Sequence, residues 1–400
     1  MRIRSRLGQS GYLGYCANVH PGETLDDVLR AISHFGRGVR EELAVPALSL
    51  GLWLGQQSLA QAQGERRHEL RRALDAAGVF VVTLNGFPYG NFHAEVVKRQ
   101  VYHPDLGSPE RRKYLHELAS LLTELLPTDA PEGTISTLPV GHRSEPCDVA
   151  LAAFEDARWA AARQLCGLCE DLARLRDTTG KSVRICLEPE PGCWLESTDD
   201  ALAFFTEVLP VVARREGVSA ELLRQHLGVC YDTCHQAIAF EDAAASISRL
   251  AQAGIRIGKA QLSSALEIEQ PADPEQRAEL LRFAEPRFLH QVRTRTRDGA
   301  LVGVDDLDQA ARLPEAQPWR VHFHVPIHRA RFGRIGTTRA FLEAALQQLA
   351  AVGPLPHLEI ETYTWGVLPE GERPRGDREL MLGIAREVSF VVGELGGGRA

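Results

Sequence analysis

The chain has no excess of positive charge: 45 Lys and Arg stand against 53 Asp and Glu, a net charge of −8. Binding nucleic acid requires a basic field to neutralise phosphates, so that class of partner is excluded. Long apolar runs are also missing. The longest, such as GVFVVTL (78–84), fall far short of the roughly 18–20 residues of a membrane span. The first residues, MRIRSRLGQSGYLGYC, bring Gly, Gln and Ser where a secretory signal needs an apolar stretch, so the expected location is cytoplasmic. Glycine and proline, 35 and 22 of 400 residues, show no Gly-X-Y period and are too few for low complexity. No linker, repeat or charge run divides the chain, and one domain over residues 1–400 is expected. Lysine is scarce: only four of the 45 basic residues, among them Lys259. Eight cysteines without a secretion signal are expected to be reduced thiols. Cys166 and Cys169 have CxxC spacing but no second pair, and they lie in the helical-looking stretch 150–175 as small buried residues.

What is present is an alternation of short β-like runs with amphipathic helical stretches, the signature of an α/β fold. Nine strands are expected: 12–20, 47–55, 79–86, 133–141, 183–190, 227–234, 257–264, 321–328 and 357–364. That is one too many for an eight-stranded barrel. Thr24, Ser108 and Thr198 each precede a helical period, with acidic residues in the first turn of the helix. The segment FLHQVRTRTRDGALVGVDDL reads as a β-hairpin turning at Arg297-Asp298-Gly299. It falls in an irregular stretch, about 265–320, that is expected to be an insertion within the barrel.

Chemistry-bearing residues gather at the ends of the later strands. In VRICLEPEP a period of two puts Cys186, Glu188 and Glu190 on one face. In HLEIETYTW it groups His357, Glu359, Glu361 and Tyr363. VHFHVPIH aligns His322, His324 and His328 against Val321, Phe323, Val325 and Ile327, and IGKAQLSS aligns Lys259, Gln261 and Ser263. Asp232 and His235 converge only if their strand ends and turns between them. A parallel barrel brings such strand ends to one mouth. Carboxylates and imidazoles converging there call for a cation, because uncompensated buried charge is costly. An oxygen-rich set with one or two imidazoles suits Mn, Mg or Co, with Zn admissible. Lys259 has three readings: acid or base, phosphate anchor, or partner of Glu188 or Glu190. Asn18, His20 and Asn85 end early strands and are candidates to complete the pocket. Arg329, Arg331 and Arg334, ahead of a helix starting near Thr338, fit either a phosphate site or a solvated loop.

The segments GYCANVHPGETLDDV, LNGFPYGNFH, CLEPEPGCWLES, GVCYDTCHQAIAFED, IGKAQLSSAL, FLHQVR, VHFHVPIH and LEIETYTWGVLP together resemble xylose-isomerase-like TIM barrels. More narrowly they resemble the EboE branch, named for an operon concerned with metabolite traffic. The resemblance implies a (β/α)8 barrel, with the ninth strand candidate as an insertion between the seventh and eighth barrel strands. In epimerase-like relatives one divalent metal is held by a Glu after the fifth strand, the Asp of an Asp-x-x-His after the sixth, a His after the seventh and a Glu after the eighth. Carried over by motif, these are Glu188, Asp232 with His235 beside it, and Glu361 in preference to Glu359. Lys259 and Gln261 stand where relatives often carry histidines, and His324 or His322 would supply the missing imidazole. The expected metal set is thus Glu188, Asp232, His324 and Glu361.

The expected function is metal-dependent isomerisation or epimerisation of a small polyhydroxylated metabolite. Glu188, Glu361, His235 and Lys259 are the candidate catalytic residues. His235, Glu190, Gln261, His290, His322 and Asn85 are candidate substrate contacts. Two rivals stand beside this reading. One is metal-assisted phosphoester hydrolysis, favoured by the number of histidines. The other is a non-catalytic metabolite-binding protein. The expected partner is a small molecule, with a homo-oligomer and operon partners admitted.

Overall fold

The computed structural model describes residues 1–149 and 155–396. Eight parallel strands close on themselves: β1 (Ser10–Cys16), β2 (Leu48–Trp53), β3 (Thr83–Asn85), β4 (Glu132–Thr137), β5 (Ser182–Leu187), β6 (Leu227–Asp232), β7 (Ile257–Leu262) and β8 (His357–Ile360). Pairing of β8 with β1, Glu359 opposite Gly14, completes the ring. Helices separate the strands, so the molecule is the (β/α)8 TIM barrel that the alternation and the resemblance imply. Among the described residues no helix is long and apolar enough to cross a membrane.

Capping explains where several helices start. The Thr24 side chain accepts from Asp27 N at 3.2 Å while the Asp27 carboxylate accepts from Thr24 N at 3.0 Å, opening Leu25–Arg30. Ser108 caps Pro109–Leu125. After β5 the cap is Ser197, one residue before the expected Thr198, because Ser197 and Asp200 form the reciprocal pair. Cys166 and Cys169 are buried in the helix Ala157–Thr179; the start of that expected stretch, 150–154, lies outside the described residues.

The barrel strands are buried on both faces, and part of their interior is polar. Thr134 Oγ1 donates to Thr83 Oγ1 at 2.9 Å and lies 2.8 Å from His357 Nδ1. One layer above, Lys259 Nζ lies 2.6 Å from Glu359 Oε2 and donates to Ser136 Oγ at 3.1 Å. Gly51 of β2 leaves room for this pair, since a methyl group there would collide with Glu359 Oε1.

Between β7 and β8 the chain builds a six-stranded antiparallel sheet. Its spatial order is Leu301–Val304, Val292–Arg295, Trp319–Val321, Leu266–Ile268, Ile335–Thr337 and Arg331–Phe332. This is larger than one hairpin and runs past residue 320 to Thr337. Its strands are two to four residues long, too short to show a period in the sequence. The expected strand 321–328 is corrected too: regular pairing ends at Val321, and Pro326 has no N–H to extend a ladder. The alternation of sides survives without it. Phe323 and Val325 pack with Leu266, Trp319 and Phe332 in the insertion's own core, and His322 and His324 turn the other way, into the barrel mouth.

Candidate active site

The mouth is assembled from strand ends. Strand β6 stops at Asp232, which caps the helix Thr233–Ile238. Asp232 Oδ1 accepts from Cys234 N at 2.7 Å, His235 N at 3.0 Å and Ser263 Oγ at 2.6 Å. These three bonds fix the carboxylate and leave Oδ2 buried without a partner. His235, one helical turn on, is thereby brought alongside, with Nε2 at 4.0 Å from Asp232 Oδ2. Glu188, just beyond β5, also keeps a buried carboxylate oxygen, Oε2, without a partner. Glu361, just beyond β8, is held by two amides: Asn18 and Asn85 donate to its Oε1 at 2.8 and 3.0 Å.

Ligand atoms of Glu188, Asp232 and Glu361 all lie within 4.8 Å of one another. Burial pushes the carboxyls of Glu188 and Glu361 well above their usual range, and the neighbouring acids push them further. Glu190 is pushed up to about 8, chiefly by burial, although Tyr102 donates to its Oε1 at 2.9 Å.

Beside the carboxylates stand three imidazoles. His235 Nδ1 lies 3.1 Å from Pro189 O, and His324 Nδ1 lies 2.8 Å from Glu361 O. His322 Nδ1 lies 2.6 Å from Gln291 Oε1, whose orientation is set by Gln291 Nε2 donating to Pro191 O. Each Nδ1 therefore carries the proton, because its partner only accepts, and each Nε2 presents a lone pair. Yet His322 Nε2 lies 3.1 Å from His235 Nε2 and 3.0 Å from His324 Nε2. Burial depresses all three imidazoles below their usual range, so protonation is a poor way to relieve this crowding. Three anchored imidazoles with converging lone pairs, next to three carboxylates of which Glu188 and Asp232 each keep an unpartnered oxygen, fit a divalent cation.

Of the sequence candidates, Asn85, Glu188, Glu190, His235, His322, His324 and Glu361 line one cavity, and Asp232 joins its floor through the ligand clusters. Other candidates lie apart. Lys259 pairs with Glu359 in the barrel interior rather than with Glu188 or Glu190. Gln261, its strand neighbour, is fully buried and both side-chain polar atoms lack partners. His290 is buried beside Glu285 at 3.3 Å, off the cavity lining. His20 stacks on Phe35 at 4.0 Å, and His328 lies in a different cleft with Arg329. The arginine loop is engaged elsewhere: Arg329, Arg331 and Arg334 face Glu372, Glu269 and Glu275 at 3.2, 3.9 and 2.7 Å.

Sequence reasoning missed Tyr102, Gln291 and the cavity's apolar wall. Gln291 follows His290 in an extended run, where neighbours point to opposite faces; only one of the two could face the mouth. Tyr102 ends a short 3-10 helix, Lys98–Tyr102, in the segment after β3, too short to show a period in the sequence.

A closed (β/α)8 barrel whose mouth converges carboxylates and imidazoles is a TIM barrel with a candidate metal site. Residues 42–273 match the family described as xylose isomerase-like TIM barrel, and the chain belongs to that family. A structure of a xylose isomerase-like TIM barrel protein from Mycobacterium smegmatis in complex with magnesium is similar at 13% identity and TM-score 0.52, with 96% of each chain covered. A xylose isomerase domain protein from Planctomyces limnophilus is 14% identical, with TM-score 0.47, covering 89% of this chain and 90% of that one. The IolI protein with a bound zinc atom is 11% identical, with TM-score 0.48, covering 96% and 98%. No curated protein sequence matches the chain.

Proposed function

We propose that the protein is a divalent-metal-dependent enzyme that moves a proton beside a carbonyl of a small hydroxylated metabolite, in isomerisation or epimerisation. The observation that carries this reading is the pair of unpartnered buried oxygens, Glu188 Oε2 and Asp232 Oδ2, facing Glu361 within one ligand-sized cluster. Glu188, Asp232 and Glu361 would hold the ion, with His324 completing the set. A bound divalent ion polarises a carbonyl or hydroxyl oxygen. The chain's own groups do the rest. Glu188 and Glu361, whose proton affinity burial and the neighbouring acids raise, would accept and return the proton. His235 and His322 offer neutral nitrogens to substrate oxygens, and Asn18 and Asn85 orient Glu361. A role in metabolite traffic of the EboE kind is the setting that the sequence resemblance supports.

The test is metal content by plasma mass spectrometry on untagged protein, with Glu188→Ala and Asp232→Ala beside it, followed by turnover assays on polyols and cyclitols. The expected result is near-stoichiometric Mn, Zn, Co or Mg that both substitutions abolish. Wild type that stays metal-free after supplementation overturns the reading in favour of metabolite binding without catalysis. One feature supports a second reading, phosphoester hydrolysis on more than one metal: pairs of the imidazoles form ligand clusters with Cys234 and with Glu190 that share no residue with the Glu188, Asp232 and Glu361 cluster. Two ions per chain would favour it.

A further inference from the structure

The cavity above the ligand cluster has two unlike ends. Its floor carries Glu188, Glu190, Glu361 and the three imidazoles, whereas its upper wall is apolar: Phe87, Phe92, Val97, Val101, Phe288 and Leu289.

The wall is built and held. Phe92 and Phe288 rings lie 5.2 Å apart, and Tyr363, 4.9 Å from Phe288, spans from this wall to the metal floor by lying 4.6 Å from the His324 ring. Phe92 comes from the loop after β3 and Phe288 from the insertion. The two segments are tied where Val97 N and Lys98 N donate to Arg287 O at 2.8 and 2.9 Å. Cationic groups that would hold a phosphate are lacking. Among the described residues no arginine lines the cavity, and its lysine, Lys98, is paired with Asp306.

From this division we propose that the substrate of this site is amphipathic: a compact head with adjacent oxygens at the metal floor, and an uncharged aromatic or alicyclic body against Phe92 and Phe288. The proposal rests on the metal-dependent reading above and narrows its substrate class away from sugar phosphates and open-chain polyols. A wholly hydroxylated molecule would leave its far hydroxyls facing carbon, without hydrogen-bond partners.

The test uses two bidentate oxygen chelators with the same head, acetohydroxamate and benzohydroxamate, titrated calorimetrically into the full-length protein after metal loading and metal analysis. Burial of a phenyl ring predicts that benzohydroxamate binds roughly tenfold tighter or more. Leu289→Ser, at the partly exposed rim, and Phe288→Ala should narrow that ratio while leaving acetohydroxamate affinity unchanged. Leu289→Ser keeps the test usable if loss of Phe288 impairs folding. Equal affinities in wild type, or no binding of either compound to protein shown to hold metal, overturn the proposal. Protein that retains no metal overturns the metal-dependent reading itself, and this proposal with it; the metal analysis separates the two failures.

Discussion

Glu359 and Glu361 are two residues apart, one on β8 and the other just past its end, and both are buried. Their charges are met in opposite ways. Glu359 has a cation built into the chain, the Lys259 ammonium at 2.6 Å, and that carboxylate holds the ammonium above its usual range despite the opposing effect of burial. Glu361, with Glu188 and Asp232, has amides and imidazoles for neighbours but no ammonium or guanidinium within ion-pair distance among the described residues. The lower layer is therefore electrically complete as folded. The upper layer has no such cation in the chain, and Glu188 Oε2 and Asp232 Oδ2 are left without partners, the place where the proposed metal would complete it.

Four changes would break or sharpen this contrast. The largest effect is expected from Asp232→Ala, which removes a carboxylate shared by two ligand clusters. Metal affinity should fall by more than the roughly 10–100-fold that losing an outer partner costs, measured by metal competition with a chromophoric chelator. Next is Lys259→Met, which strands Glu359 and should cost about 3–5 kcal/mol in chemical denaturation. The double change with Glu359→Leu should recover most of that loss, with metal content unaltered; a double variant as unstable as the single would show that the pair acts through packing alone.

A smaller effect is expected from Asn18→Ala. It removes one of two donors on Glu361 Oε1, and metal affinity should drop roughly tenfold with little change in melting temperature. The smallest concerns Glu387, a buried carboxyl outside the mouth that accepts from Ile327 N at 3.1 Å and Thr362 Oγ1 at 2.6 Å. Burial raises it to about 7, against 4.5 when exposed. The folded state thus holds its proton longer than the unfolded one. Its contribution is fully present below about pH 4.5 and is lost as pH rises through about 7. The melting temperature of Glu387→Gln should accordingly fall less than that of wild type across this window, and parallel curves would refute the assignment.

Much of the fold was legible because its signals are local. The β/α alternation, the capping pairs at Thr24 and Ser108, and the turn at Asp298-Gly299 each depend on a few neighbouring residues. The strand-end carboxylates were legible for the same reason, since a period of two places Glu188 with Glu190 and Glu359 with Glu361 wherever the strand goes. Ser197 was missed in favour of Thr198 because two adjacent hydroxyl residues both fit a cap, and only the backbone bend selects one. The alternation in 321–328 puts its histidines on one face of a strand. Two of them do reach the mouth, but the chain leaves regular pairing at His322, and His328 goes elsewhere.

By itself, then, the sequence determined the family, the order of elements and which side chains share a strand face, because hydrophobic period and capping act over a few residues. Only the tertiary structure decided which charge meets which. Lys259 meets Glu359 rather than Glu188: the register of β7 against β8 sets Lys259 opposite His357, and its long side chain reaches along the barrel interior to the Glu359 carboxylate. The wall of Phe92 and Phe288 exists because a loop after β3 and an insertion nearly two hundred residues later meet over the mouth. Such contacts depend on barrel closure, a property of the whole chain that no short stretch encodes.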